Sequence, residues 1–285
     1  MSDLNKLIKE LRTKTGAGFL DCKKSLEENN NDIEKSIESL RKKGLAKASK
    51  KSDREANEGA VGIYSNNEMI VLIKVNSETD FAAKSKTFLD FIDSLGKIIL
   101  ELNDKNLDKE KFLISNYDDG TIKDYFNSMI SKIGENLILN NLIIKDIKNT
   151  NFAYYIHNGY KENVGKIISI ILYSVAQNDE KIKSISKNLC MHIAAMKPES
   201  LDINDLDQNL IEKEEKIQKE LILSSGKPEN IVDKILDGKM KKFYSEVTLL
   251  NQTYILDQEK TVKTFISEYE NKFDFKLKSF DIISL

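Results

Sequence analysis

The hydrophobic period of this chain changes near residue 59, and the change excludes a purely helical fold. One face of the first segment is apolar at the helical spacing i, i+3, i+4, i+7: Leu4, Leu7, Ile8 and Leu11. Beyond residue 59, the runs AVGIY (60–64) and MIVLIKV (69–75) flank the polar turn SNNE. Two such runs predict a β-hairpin, and helices and antiparallel strands in one chain indicate the α+β class.

Residues 1–44 predict a bundle of three short helices. Glycines in Thr15–Gly18 end the first helix, and a second carries Phe19, Leu20 and Leu26. Asp32 is the expected N-cap of the third, and Gly44 is expected just past its C-terminus. Residues 45–58 lack an apolar period and are interpreted as a charged linker, which leaves open whether it is partly helical.

The rest of the chain predicts two α/β units. Helical spacing returns after the hairpin at Phe88, Phe91, Ile92, Leu95, Ile98 and Ile99, and residues 101–140 are expected to be mainly helical, with a loop near Asp118–Gly120. Strands are expected at 141–147, 152–157 and 165–175. A helix follows with an apolar face made of Ile182, Ile185, Leu189 and Ile193. Strand, turn, strand, corner and helix thus recur, which indicates an internal duplication.

Residues 205–245 predict a helical hairpin that turns at SSGKPE (224–229). Its two apolar stripes are expected to leave a narrow seam exposed, as in an antiparallel coiled coil: Leu210, Ile217 and Leu221 on one helix, and Ile231, Ile235 and Leu236 on the other. The C-terminal part predicts a helix and then a strand. The helix carries Val262, Phe265, Ile266 and Tyr269, and the strand carries Phe273, Phe275 and Leu277.

Composition argues against several functions. The 44 basic and 46 acidic side chains give a net charge of -2, which is no overall footprint for nucleic acid or an anionic membrane. A charged, amphipathic N-terminus and two well-separated cysteines favour a cytoplasmic protein with free thiols. His157 and His192 stand in no metal-ligand pattern, and Gly16–Gly18 lacks the lysine of a phosphate loop. We therefore expect no catalytic residues, no metal and no cofactor.

A basic run is the one feature that suggests nucleic acid. It consists of Arg41, Lys42, Lys43, Lys47, Lys50 and Lys51. No aromatic side chains are interleaved with it to stack on bases, so a solvated helix end and linker is the favoured interpretation.

The acid and ring at Asp80-Phe81 follow the apolar strand within a few residues. Asp80 is an expected N-cap for the next helix. Phe81 lies seven residues before Phe88, and this spacing leaves open whether its ring is in the core or exposed. An exposed ring here would point to recognition of another protein.

Five stretches together resemble the translation elongation factor Ts family: ELRTKTGAGFLDCKKSL, KVNSETDFAAKS, LCMHIAAMKPE, SSGKPENIVDKILDGKMKKFYSEVTLLNQ and EKTVKTF. The resemblance covers nearly the whole chain. It implies a guanine nucleotide exchange factor for elongation factor Tu that is not an enzyme. The partner is Tu, in a heterodimer or a two-plus-two assembly. The alternative is an adaptor that binds Tu without promoting exchange.

The resemblance also implies the domain organisation. It places a ubiquitin-associated-like three-helix module and the start of a linker in residues 1–50. A core N-subdomain follows in 51–140, and a core C-subdomain in 141–200 with 246–285. The helical hairpin of 201–245 is inserted in the second subdomain, and homodimerisation through it is left open.

The site residues are implied in the same way. Phe81 would wedge into the nucleotide domain of Tu beside the magnesium and phosphate loops, with Thr79, Asp80 and Ala82 around it. A second set would dock near the guanine side: Arg12, Phe19 and Leu20. His157 would touch another face of Tu. The segment NGYKENVGK (158–166), which follows His157, departs from the family in lacking an arginine, and Lys161 is the candidate replacement.

Overall fold

The computed structural model describes residues 3–225 and 228–285. The helices are α1 Asp3–Thr15, α2 Phe19–Glu28, α3 Ile33–Ser49, α4 Asp80–Lys84, α5 Lys86–Leu102, α6 Lys109–Ile114, α7 Ile122–Ile133, α8 Glu180–Met196, α9 Gln208–Ser224, α10 Glu229–Val247 and α11 Val262–Phe273. The strands are β1 Glu58–Ser65, β2 Met69–Ser77, β3 Asn116–Tyr117, β4 Gly120–Thr121, β5 Leu137–Asp146, β6 Asn151–His157, β7 Val164–Gly165, β8 Ile167–Ser174, β9 Thr253–Tyr254, β10 Asp257–Thr261 and β11 Lys276–Ser284. Helices with antiparallel sheets confirm the α+β class.

The chain divides into two compact units. The first runs to Asp146 and adds Asn158–Lys166 and Ile283–Leu285, while the second consists of Ile147–His157 and Ile167–Ile282. The predicted domain boundaries stay a prediction.

Three helices form at the N-terminus, as predicted, around a small core of Ile8, Leu11, Cys22 and Leu26. Asp32 caps α3 by accepting from the backbone N–H of Lys35 at 3.0 Å, which confirms its predicted role. The prediction that α3 ends at Gly44 is wrong, because the helix continues to Ser49. Gly44 is buried, and a Cβ there would lie 3.7 Å from Cβ of Ser131 on α7. That distance is an ordinary van der Waals contact, so the position does not require a glycine, and the helix continues through it.

The predicted hairpin is confirmed: β1 and β2 pair antiparallel from Glu58–Ser77 to Ser65–Ile70. The first sheet has the strand order β5-β2-β1-β7. Residues 137–140, expected to be helical, begin β5. The pairing of β5 with β2 extends across the predicted boundary at residue 141. Helix α5 covers this sheet with a fully apolar face, so Phe88, Phe91 and Leu95 are buried as expected.

In the second unit, a three-stranded sheet of order β11-β8-β6 carries α8. The expected inner face of α8 is confirmed, since its four isoleucine and leucine positions are buried: Ile182, Ile185, Leu189 and Ile193. The predicted start of the last strand is wrong. Phe273 is the final residue of α11, and Asp274 follows in the left-handed conformation with φ 50° before β11 begins.

Helices α9 and α10 form the predicted hairpin, packed through a buried cluster of Ile222, Val232, Leu236 and Met240. Leu236 therefore belongs to the interior of the hairpin. Ile235 also packs against this cluster. The expected exposed seam is confirmed for four of its six residues: Leu210, Ile217, Leu221 and Ile231. Gly226 and Lys227 of the predicted turn lie outside the described residues.

Candidate functional site

Phe81 is the most exposed large apolar side chain of the described residues. It is 84% exposed, whereas Phe88, seven residues later, is 0% exposed. Phe81 lies in the first turn of α4, a helix of only five residues that begins three residues after β2 ends. A ring left in water at a tight corner is unfavourable for an isolated chain, and it is typical of a binding surface.

Thr79 caps α4, so the prediction of Asp80 as the N-cap is wrong. The Thr79 hydroxyl accepts from the backbone N–H of Ala82 at 3.2 Å. Asp80 is the first helical residue, and its carboxylate binds the ammonium of Lys84 at 2.7 Å, one turn later. The hydrogen bond from Lys84 lowers the pKa of Asp80 and raises that of Lys84. Asp80 therefore presents a charge that is already paired, beside a bare ring.

The base of this corner is polar and tightly paired. Glu135, just before β5, accepts from the Thr79 N–H at 2.9 Å and from the Thr79 hydroxyl at 2.7 Å. In the opposite direction, Glu78 accepts from the backbone N–H of Asn136 at 2.7 Å. Ala82 is only 8% exposed, so the inner side of α4 is packed. The corner of residues 78–82 is thus held at both its backbone and its inner face. We call it the Phe81 tip.

A second exposed apolar pair lies at the N-terminal helices. Phe19 and Leu20 open α2 and are 47% and 77% exposed, and Arg12 is exposed near the end of α1. Gly16 has φ +66° between the two helices, a conformation that favours glycine. The turn therefore brings the chain from α1 into α2 with two large side chains in water. This surface belongs to the same unit as the Phe81 tip.

His157 and Lys161 belong to different units. His157 ends β6 on the second unit, exposed, with its Nδ1 3.3 Å from the Tyr155 hydroxyl. Lys161 lies on the first unit, where its ammonium binds Asp93 at 2.6 Å and Asp90 at 3.1 Å. The expected substitution of Lys161 for an arginine contact thus involves an ammonium that already has two carboxylate partners.

The buried reactive groups have structural surroundings. Burial raises the pKa of the Cys22 and Cys190 thiols, which keeps both protonated. His192 is fully buried and bonded on both ring nitrogens, to Gln252 and to the N–H of Ile255. Within residues 3–225 and 228–285, no three His, Cys, Asp or Glu side chains are grouped to hold a metal. The described helices include none with the length and apolarity to cross a membrane.

The basic run on α3 is largely neutralised. Three of its side chains pair with carboxylates on other helices: Arg41 with Asp124, Lys43 with Glu28 and Lys47 with Asp21. A fourth, Lys42, binds Glu38 one turn away, whereas Lys51 donates to the neutral carbonyl of Gly134. Four of the six basic side chains are thus paired with carboxylates, which favours the interpretation as a solvated helix end and linker.

Sequence reasoning missed Glu135, Glu78 and Asn136. Glu135 lies 56 residues from Thr79 along the chain. No motif or period links positions so far apart, and only the pairing of β5 with β2 brings them together.

Comparisons with known proteins agree on one family. The family model described as Elongation factor TS matches residues 78–285. The elongation factor Ts of Syntrophotalea carbinolica is 40% identical over 257 residues, covering 90% of this chain and 83% of that protein. That of Ehrlichia ruminantium (strain Gardel) is 40% identical over 271 residues, 95% and 93% of the two chains. The elongation factor Ts of Rickettsia prowazekii is 38% identical over 283 residues, which cover 98% of this chain and 90% of that protein. The chain therefore belongs to the elongation factor Ts family of translation factors.

Proposed function

We propose that this protein is a guanine nucleotide exchange factor for elongation factor Tu and performs no covalent chemistry. The observation that carries the proposal is Phe81, an exposed ring on a rigid, hydrogen-bonded base, in a chain of this family. An apolar side chain on a backbone held by hydrogen bonds loses less conformational entropy on binding than one on a free loop.

In the proposed mechanism, Phe81 enters the nucleotide domain of Tu and displaces the loops that hold magnesium and phosphate. Burying a phenyl ring of this size contributes about 1.5–3 kcal/mol. That energy is available to offset the distortion of the partner only if the ring is in water beforehand, as it is here. Thermodynamic linkage makes the two effects equal: if this protein lowers the affinity of Tu for GDP by a certain factor, GDP lowers the affinity of Tu for this protein by the same factor. GTP loading then expels the exchange factor.

The remaining contacts are proposed from the family resemblance and from exposure. Thr79, Asp80 and Ala82 frame the ring. Phe19 and Leu20, with Arg12, supply a second apolar contact to the same domain of Tu. His157 supplies a contact from the second unit. For homodimerisation, the exposed seam of the α9–α10 hairpin is the candidate surface, and a two-plus-two assembly with Tu would use it.

The decisive experiment measures release of a fluorescent GDP from Tu, with and without this protein. We expect strong acceleration, and we expect Phe81→Ala to remove most of it while circular dichroism stays unchanged. Ile114→Ala is the matched control, because Ile114 is another exposed apolar side chain of the first unit and lies outside the proposed surfaces.

The adaptor alternative makes a different prediction. An adaptor would form a complex with Tu, detected by gel filtration, without changing the rate of GDP release. Acceleration that survives in Phe81→Ala would retain the exchange function but remove the ring from its mechanism.

A further inference from the structure

We propose that Glu135 is a positioning residue, which orients the Phe81 ring by completing the N-terminal cap of α4 from a distant part of the chain. This inference rests on the proposed function, because it assigns a role toward the same ring. The hydrogen bonds of the Glu135 side chain go to Thr79, two residues before the ring.

The same unit contains a helix whose N-terminal cap is complete within its own sequence. Helix α7 has a capping box, in which the hydroxyl of Thr121 accepts from Asp124 N–H at 3.2 Å. The Asp124 carboxylate in return accepts from the Thr121 N–H and hydroxyl, both at 3.0 Å. Two backbone donors and a hydroxyl are satisfied by residues three apart, so this helix start is fixed locally.

Helix α4 has the same geometry with its carboxylate missing from the local sequence. Thr79 caps the helix through Ala82 N–H at 3.2 Å, the same distance as in α7. The third helical residue, where a capping box has its acid, is Ala82. Ala82 is 8% exposed and has no carboxylate, so the helix itself supplies no acid at this position. The Thr79 N–H and hydroxyl would then lack an acceptor within the helix.

Glu135 supplies that acceptor. Its two oxygens take the Thr79 N–H at 2.9 Å and the hydroxyl at 2.7 Å, the two donors that Asp124 takes from Thr121 in α7. A charged acceptor makes stronger hydrogen bonds than a neutral one. Glu135 is itself held, because Glu78 binds the N–H of the next residue, Asn136, at 2.7 Å. The Asn136 amide donates to the carbonyl of Arg54 at 2.8 Å.

The ring that would contact the partner and the side chain that holds its helix in place thus belong to different residues, Phe81 and Glu135. Phe81 is two residues after Thr79, in a helix of five residues with little packing of its own beyond Ala82 and Ala83. Fixing the N-cap fixes the direction in which the second helical residue points. Without Glu135, the ring would sample more directions in water, and each binding event would have to select the productive one.

The test is a cycle of Glu135→Ala, Phe81→Ala and the double variant, assayed by release of fluorescent GDP from Tu. We expect Glu135→Ala to slow stimulated release about threefold to tenfold, and to have no further effect when Phe81 is already alanine. Asp108→Ala is the matched control. It removes a capping carboxylate, which binds Lys111 N–H at 2.7 Å at the start of α6, without touching the tip.

An unchanged rate in Glu135→Ala would overturn the proposal. So would an equal slowing in both backgrounds, because Glu135 would then act independently of the ring. An equal slowing by Asp108→Ala would also overturn it, since lost stability alone would then explain the effect.

Amide hydrogen exchange of the protein alone gives a readout independent of exchange activity. Glu135→Ala should reduce protection at the Thr79 amide about tenfold or more, while leaving the β1 and β2 amides protected. If Phe81→Ala has no effect on GDP release, the proposed function of the ring fails, and this measurement still decides the cap. Unchanged Thr79 protection would show that Glu135 does not hold the tip.

Discussion

Two phenylalanines seven residues apart have opposite surroundings. Seven residues are two helical turns, so in one continuous helix both rings would share a face. The chain breaks at Ser85, which ends α4 and caps α5 in extended conformation with φ -66° and ψ 144°. The two rings therefore belong to different helices, and only Phe88 faces the core. The spacing could not distinguish these outcomes, because it assumes that the helix is uninterrupted.

The free energy of unfolding should respond differently to alanine at Phe88 and at Phe81. Phe88→Ala should lower the free energy of unfolding by about 3–5 kcal/mol, because it leaves a cavity under α5. Phe81→Ala should change it by less than about 0.5 kcal/mol, because the ring is in water. Urea denaturation of both variants measures this. A large loss of stability in Phe81→Ala would mean that the ring is packed in solution.

At the scale of elements, α5 packs on β1 with the ring of Tyr64 lying against Gly96 of α5 and Gly62 of β1. A Cβ at Gly96 would lie 2.2 Å from Cδ2 of the Tyr64 ring, and one at Gly62 would lie 2.7 Å from Cε2. The Tyr64 hydroxyl donates to Asp93 at 2.9 Å, so the ring cannot easily move aside. The helix therefore approaches the sheet as closely as it does only because residue 96 has no side chain.

The two glycines inside α5 and α10 should respond to alanine in opposite directions. Gly96→Ala should lower the free energy of unfolding by about 1–3 kcal/mol through overpacking. Gly238→Ala should raise the stability of α10 by about 0.5–1 kcal/mol, because nothing lies within 4 Å of its added Cβ. Thermal denaturation followed by circular dichroism compares them. The same sign in both variants would contradict the packing of Tyr64.

At the scale of the whole molecule, we expect the buried His192 to make the free energy of unfolding depend on pH. His192 Nδ1 accepts from Ile255 N–H at 3.3 Å, so the ring's Nε2 carries the proton and donates to Gln252 at 2.9 Å. The Gln252 side-chain amide in turn donates to the backbone carbonyl of Glu246, near the end of α10, at 2.7 Å. Burial lowers the pKa of His192, since the charged ring is poorly solvated inside the protein.

Acid should therefore destabilise the folded chain. The unfolded histidine takes up a proton near pH 6.5, and the folded one only at lower pH. The unfolded state binds more protons between these values, so this contribution to stability is present above about pH 6.5 and is lost as pH falls below it. Urea midpoints at pH 7.5 and 5.5 should differ less in His192→Gln than in the wild type. His157→Gln, at an exposed histidine, should keep the wild-type difference, and an equal reduction in both variants would contradict the role of burial.

The sequence by itself determined the elements that local patterns specify. Apolar period predicted the hairpin of β1 and β2, the buried faces of α5 and α8, and the α9–α10 hairpin. The cap at Asp32 was also predicted, because a cap acts on residues within one turn. The stretches around Gly16–Gly18 and Thr79–Phe81 indicated the candidate site residues, through the family that they resemble.

Only the tertiary structure decided what depends on distant partners. It extended α3 through Gly44 to Ser49, along α7, and it paired β5 with the first sheet. It placed Phe81 in water and put Thr79, rather than Asp80, at the cap. It also brought Glu135 to Thr79 across 56 residues of chain. Periodicity describes neighbours within a turn or along a strand, whereas these contacts exist only after β2 and β5 have paired.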